Sequence, residues 1–304
     1  MQFSIILRVA LFITLVFNAV DARADLNAKQ ARKLIARMAG FELPTADVRV
    51  KRISSTRDSS SEATAEIQTV FRLERNEQGQ WRVAELRTGP DHWEQLGFIA
   101  QTDASERQGS ICDSRTRAGG ADATADLTVK RARCLIARLL GVELPSDVVR
   151  IKEVAPLAVP LASYPSALAV TVIQIDVRFA MNQNGWHVSD VRTGSRPWLN
   201  LDAVVATVDQ EKGKRARSEL GAIATALEGF RKEHGVYVVS ELHPVLIDYL
   251  SPRYLSRVIR IDPWHRPYKY FGERDHFSLR SVGADGTENT GDDIVVTRSA
   301  QTMR

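Results

Sequence analysis

A chain of 304 residues has room for two or three units with cores of their own, and 44% hydrophobic with 26% charged residues is a globular rather than a disordered balance. The formal net charge of +4, from 41 basic and 37 acidic residues, is small and spread along the chain, so no nucleic-acid partner is expected. Two cysteines, Cys112 and Cys134, without paired histidines exclude a zinc site.

Residues 1–24 read as a signal peptide. Leu7 to Val20 is almost wholly apolar and ends in Ala22-Arg23-Ala24, a small-x-small step suited to cleavage after Ala24. The apolar run is shorter than the ~20 residues a membrane span needs. The positive charge ahead of it is weak, so an uncleaved anchor stands as the alternative. No later segment is apolar enough to cross a membrane, and the mature chain is expected in the periplasm or outside the cell.

A tandem repeat follows. Leu26 to Pro44 (LNAKQARKLIARMAGFELP) and Leu127 to Pro145 (LTVKRARCLIARLLGVELP) are identical at twelve of nineteen positions. Trp81 to Trp93 answers Trp186 to Trp198, each carrying Arg-Thr-Gly. Each copy opens with an amphipathic helix: Ala31, Leu34, Ile35 and Met38 share one face, and Gly40 and Gly141 stand where C-caps belong. Alternating strands follow, at Val48 to Ile53, Ala65 to Leu73 and Val170 to Phe179, with hairpin turns at Gln78-Gly79 and Asn184-Gly185. Each copy therefore predicts an α-β-β-β unit with a small antiparallel sheet, placed at 25–98 and 126–200. Residues 99–125, rich in Ser, Thr, Gly, Ala and Asp, read as a linker. Cys112 lies in it and Cys134 in the second helix. In an oxidising compartment they either pair, closing a loop of about 20 residues worth roughly 3 kcal/mol, or remain two thiols.

The texture changes from Leu201, opening a third unit, 201–304. Ala216 to His234 has helical periodicity, with Leu220, Ile223, Ala224, Leu227 and Phe230 on one face and Gly235 placed to cap it. A short helix over 240–250, a strand over 277–282 and an Asp/Gly-rich loop over 283–294 complete the unit. Asp285, Asp292 and Asp293 bring three carboxylates into that loop, and Gly283, Gly286 and Gly291 let its backbone fold inward. Hard oxygen ligands of this kind suit calcium, although the spacing is not that of an EF-hand.

This succession resembles the globular part of the type II secretion pseudopilin G family. The residues that carry the resemblance are Ala216, Arg217, Leu220, Ile223, Ala226, Leu227, Phe230 and Gly235, then Asp262-Pro263-Trp264 with Pro267, Tyr268 and Tyr270. Gly283-Ala284-Asp285-Gly286 and Asp292-Asp293-Ile294 complete it. It spans roughly 212–296. His265 replaces the family's glycine, and Val238 replaces the proline that normally follows the tyrosine at 237. The family's polymerising stem begins with Gly-Phe and carries a Glu in an apolar helix; residues 1–24 contain neither glycine nor glutamate. The resemblance implies a helix on a small antiparallel sheet, calcium held by Asp285, Asp292 and Asp293 with carbonyls near Val282 and Thr290, and protein partners in the cell envelope or secretion machinery.

No catalytic motif is present. His92, His187, His234, His243, His265 and His276 form no metal-ligand spacing, and there is no nucleophile elbow, P-loop or dinucleotide fingerprint. The expectation is an exported α+β protein that is not an enzyme, with a structural or interaction role. The alternative is a ligand-binding or inhibitor module carried by the two copies.

Overall fold

A computed structural model describes residues 26–57, 59–96, 127–144, 146–157 and 165–299. The expected signal peptide, the linker and Cys112 lie outside the described residues. Cys134 is disulfide-bonded. The fold is mixed α/β, with four helices, one large antiparallel sheet and one small one among the described residues.

Helix α1 (Ala28–Ala36) starts at a capping box, in which the Asn27 side chain accepts from the Gln30 N–H and the Gln30 side chain accepts from the Asn27 N–H. Strands β1 (Val48–Arg57), β2 (Ser60–Arg75), β3 (Trp81–Arg87) and β4 (Trp93–Gln95) follow. Helix α2 (Val129–Leu139) is capped by Thr128 and is followed by β5 (Val149–Leu157), β6 (Ser166–Asn182), β7 (Gly185–Arg192) and β8 (Leu199–Asn200). The hairpin glycines have positive φ, 77° at Gly79 and 106° at Gly185.

The strands do not close two small sheets, as the sequence suggests they should. They form one eight-stranded sheet, with β2 and β6 side by side at its centre. Ser60 to Glu74 pairs in register with Ala180 to Ser166, and Ile67 lies opposite Ile173. The other edge of β2 takes β1 and then β3, and β6 takes β5 and then β7 in the same way. The physical reason is the length of the central strands. Alone, either half would leave a long β2 or β6 edge with unpaired N–H and C=O groups, and joining them satisfies both. Across the seam Arg178 Nε meets Glu62 Oε1 at 2.8 Å, and Thr64 Oγ1 donates to Asp176 Oδ1 at 2.7 Å.

Features recur at matching places in the two halves. A register shift falls between Arg72 and Leu73 in β2 and between Arg178 and Phe179 in β6. The Arg72 guanidinium lies 5.3 Å from the Trp93 ring centroid and that of Arg178 lies 4.0 Å from Trp198. Arg192, of the second Arg-Thr-Gly step, also stacks on Trp198. One apolar core serves both halves, drawing on α1, α2 and the inward faces of β2 and β6.

Helix α3 runs from Leu201 to His234, fifteen residues earlier than the apolar pattern indicates. Asn200 caps its start, its side chain accepting from the Ala203 N–H at 3.0 Å, and Gly235 ends it at φ 78°. The first turns of α3 pack on β7 and β8, and its second half covers the small sheet of β9 (Lys269–Gly272), β10 (His276–Ser281) and β11 (Ile294–Ser299). Helix α4 (His243–Leu250) closes a second core with Tyr237, Tyr268, Phe277 and Leu227.

The two cores meet at a buried ion pair. Lys212 Nζ of α3 lies 2.7 Å from Glu94 Oε1 of β4, with only 8% of the lysine side chain exposed. His265 Nε2 approaches the same oxygen at 3.5 Å. Burial alone would raise the Glu94 carboxyl, but the adjacent His265 imidazole and the Lys212 ammonium outweigh it and hold the group below the ordinary carboxylate value. Breaking a buried pair strands a charge. Lys212→Met is therefore expected to cost about 3 kcal/mol, and Lys212→Met with Glu94→Gln clearly less than the single changes summed, as a chemical-denaturation double-mutant cycle would measure.

His243 is 4% exposed and its Nε2 has no hydrogen-bond partner. Burial, helped by the nearby Arg260 charge, pushes its pKa down to about 4. The unfolded chain, near the ordinary value of about 6.5, binds the proton more readily, so acid favours unfolding. Stability from this group is full above about pH 6.5 and falls until about pH 4, for a total of roughly 3 kcal/mol. Unfolding free energies from denaturant titrations at pH 7.5 and 4.5 should differ by roughly 3 kcal/mol less in His243→Phe than in the parent.

Candidate metal loop of the C-terminal domain

Residues 282–293 join β10 to β11 and contain all three predicted aspartates. The loop doubles back tightly. Gly283 has φ +62°, and a Cβ there would stand 2.5 Å from both the carbonyl and a carboxylate oxygen of Asp292. Gly286 has φ +72°, and a Cβ there would meet the Arg266 guanidinium carbon at 2.5 Å. Only glycine meets both demands at these positions.

The carboxylates organise the loop's own backbone. Asp292 Oδ2 accepts the Asp285 N–H at 2.9 Å and its Oδ1 accepts the Thr290 hydroxyl at 2.7 Å. The Asp285 N–H, followed by the Thr290 hydroxyl, holds the Asp292 carboxyl below its ordinary value. Asp285 Oδ1 accepts from the Thr287 N–H at 2.7 Å, and Asp293 Oδ2 accepts from the Asn289 N–H at 2.8 Å. Arg280 Nη1 lies 3.4 Å from the same Asp293 oxygen. Asp293 Oδ1 is buried with no hydrogen-bond partner. Asp293 Oδ1 thus keeps lone pairs that no N–H reaches, the kind of oxygen a hard divalent cation takes up.

Two features that the sequence reading did not assign hold this loop against the domain. The Arg266 guanidinium donates to the carbonyls of Gly283 and Ala284, the latter at 3.1 Å. Asp262 is 2% exposed and anchors the segment that presents Arg266. Its Oδ1 accepts the N–H groups of Trp264 and Arg266 at 3.0 and 2.9 Å, and its Oδ2 accepts the Ser281 hydroxyl at 2.6 Å. The Asp-Pro-Trp motif was the available signal, but its spacing does not say that the carboxylate is buried.

The aspartates share a loop, yet among the described residues the group of potential ligands whose atoms converge within 4.8 Å is another one, Glu273, Asp275 and His276. These lie around the turn from β9 to β10, with His276 Nδ1 3.0 Å from Asp275 Oδ1 and 3.7 Å from Glu273 Oε2. The histidine's hydrogen bond is the chief reason the Asp275 carboxyl is lowered.

Residues 203–297 match the family described as Type II secretion system (T2SS), protein G. The chain carries a pseudopilin G-like C-terminal domain. The match begins within the first turn of α3 and ends in β11, so it covers the second core and its loop and just under a third of the chain. No curated protein and no solved structure matches the chain significantly. No helix among the described residues is long and apolar enough to cross a membrane.

Proposed function

We propose that this is a non-catalytic, exported protein of the bacterial envelope that works with a type II secretion apparatus without polymerising as a pseudopilin does. The observation that carries the reading is the start of α3. The resembled family carries an apolar assembly stem ahead of this domain; here Asn200 caps α3 and the residues ahead of it lie in β8. The sheet unit thus occupies the place of the stem. Its recurring register shifts and Arg–Trp stacks support reading it as two α-β-β-β copies of one duplicated segment, joined edge to edge about the Ile67–Ile173 pair. The mature protein would sit in the periplasm or beyond the cell, where its partners are other proteins of the machinery.

Calcium would be held by Asp285, Asp292 and Asp293. When bound, the ion supplies a cross-link between the two ends of the loop and stabilises the domain by mass action. The chain's own residues keep the carboxylates in place: Thr290 and the Asp285 N–H orient Asp292, while Arg266 holds the Gly283–Ala284 backbone.

In-cell crosslinking tests the partner assignment. The full chain is expected to capture a secretion-apparatus subunit, and the chain lacking residues 201–304 is expected to lose it. Capture that is indifferent to that deletion would overturn the reading.

A further inference from the structure

A cavity of about 400 Å³ opens on the helix-covered side of the large sheet, over the central strand pair. Its floor is Ile67, Thr69 and Phe71 of β2 with Ile173 and Ile175 of β6, all buried. Its walls come from the turns after the two helices, where Met38 and Phe41 follow α1 and Leu140 and Gly141 follow α2. The cavity is a cleft that opens to solvent rather than an enclosed void. It falls at the low end of the roughly 300–1,000 Å³ range of small-molecule sites.

The lining has two chemistries. The floor presents no free hydrogen-bonding group, because the Thr69 hydroxyl donates to the Arg87 carbonyl at 2.6 Å. It therefore favours a hydrocarbon. Arg138 and Arg196 also line the cavity, and neither has a carboxylate partner among the described residues. Arg196 is exposed and its guanidinium donates only to the Leu140 carbonyl, at 3.4 Å. Two guanidinium groups beside an apolar chamber leave charge to be matched, and their planar donors suit an oxyanion.

We propose that this cavity binds a single-chain amphipathic anion, with the hydrocarbon chain over Ile67 and Ile173 and the acidic head on Arg138 and Arg196. Its volume suits one chain rather than a two-chain lipid, and a neutral ligand would leave both arginines unmatched. This site is independent of the C-terminal domain's part in secretion.

Isothermal calorimetry on the full chain tests it, with dodecanoate below its micellar concentration as the probe and dodecanol and hexanoate as comparators. Dodecanoate is expected to bind one per chain and more tightly than either comparator. Arg138→Gln with Arg196→Gln should weaken dodecanoate roughly tenfold or more while leaving dodecanol unchanged. Leu139→Trp, which fills the cavity from its wall, should abolish binding; the arginine variant decides the matter if this one does not fold. The proposal is overturned if dodecanoate does not bind the full chain, as it would not if the chain's own residues filled the cavity. It is equally overturned if dodecanol binds as tightly, or if the arginine variant binds dodecanoate unchanged, which would mark adsorption to the surface.

Discussion

Asp262→Ala is expected to destabilise the C-terminal domain by about 3–5 kcal/mol, enough to consume much of a small domain's stability. The carboxylate satisfies three donors at once, the N–H groups of Trp264 and Arg266 and the hydroxyl of Ser281, which is fully buried. Removing it leaves those donors without partners, at about 1–3 kcal/mol each before relaxation. The damage should spread to the loop, because the Arg266 backbone is fixed by Asp262 and the Arg266 side chain holds Gly283 and Ala284. Asp262→Asn retains acceptor capacity and should cost less. Ser281→Ala removes one donor and should cost about 1 kcal/mol. Asp248→Ala, on an exposed face of α4, should stay within about 0.5 kcal/mol of the parent. Denaturant titrations of the four variants would rank them; equal losses in Asp262→Ala and Asp248→Ala would show that the motif carboxylate is not a structural hub.

Calcium is expected to raise the melting temperature of the full chain. At a free concentration one hundred times the dissociation constant, binding to the native state alone adds about 2.7 kcal/mol. For a domain of about a hundred residues that corresponds to roughly 11–22 °C. Asp285→Ala and Asp292→Ala should melt in calcium where they melt in chelator. Glu273→Ala should keep the calcium shift, since Glu273 lies at the β9–β10 turn and not in the Asp285–Asp293 loop. Acid should weaken the effect, because protonated carboxylates do not ligate.

Much of this architecture is legible in the residues themselves. The amphipathic period of α1 and α2, the hairpin glycines 79 and 185 and the Asp/Gly loop follow from local chemistry, and the structure has them where that chemistry puts them. What escapes is what depends on distant partners. Nothing local in β2 announces that its free edge pairs with β6 more than a hundred residues later, so two small sheets are the natural expectation and one large sheet is the outcome. The first half of α3 escapes for a related reason. Its buried face includes Lys212, whose partner Glu94 belongs to another unit, and a buried charge erases the apolar period that would reveal the helix. Asp262 reads as one more loop carboxylate until Ser281 of β10 is brought against it. The three loop aspartates were identifiable as acids in one turn. Their division of labour, with Asp292 and Asp285 tying the backbone and Asp293 leaving one buried oxygen unpartnered, needs coordinates.

The most direct measurement is the calcium stoichiometry of the purified full chain by calorimetry at neutral pH. One ion per chain is predicted, with the heat abolished in Asp292→Ala and retained in Glu273→Ala. No calcium uptake, or uptake lost with Glu273 and untouched by changes at Asp285, Asp292 and Asp293, would contradict a metal-braced loop in this domain.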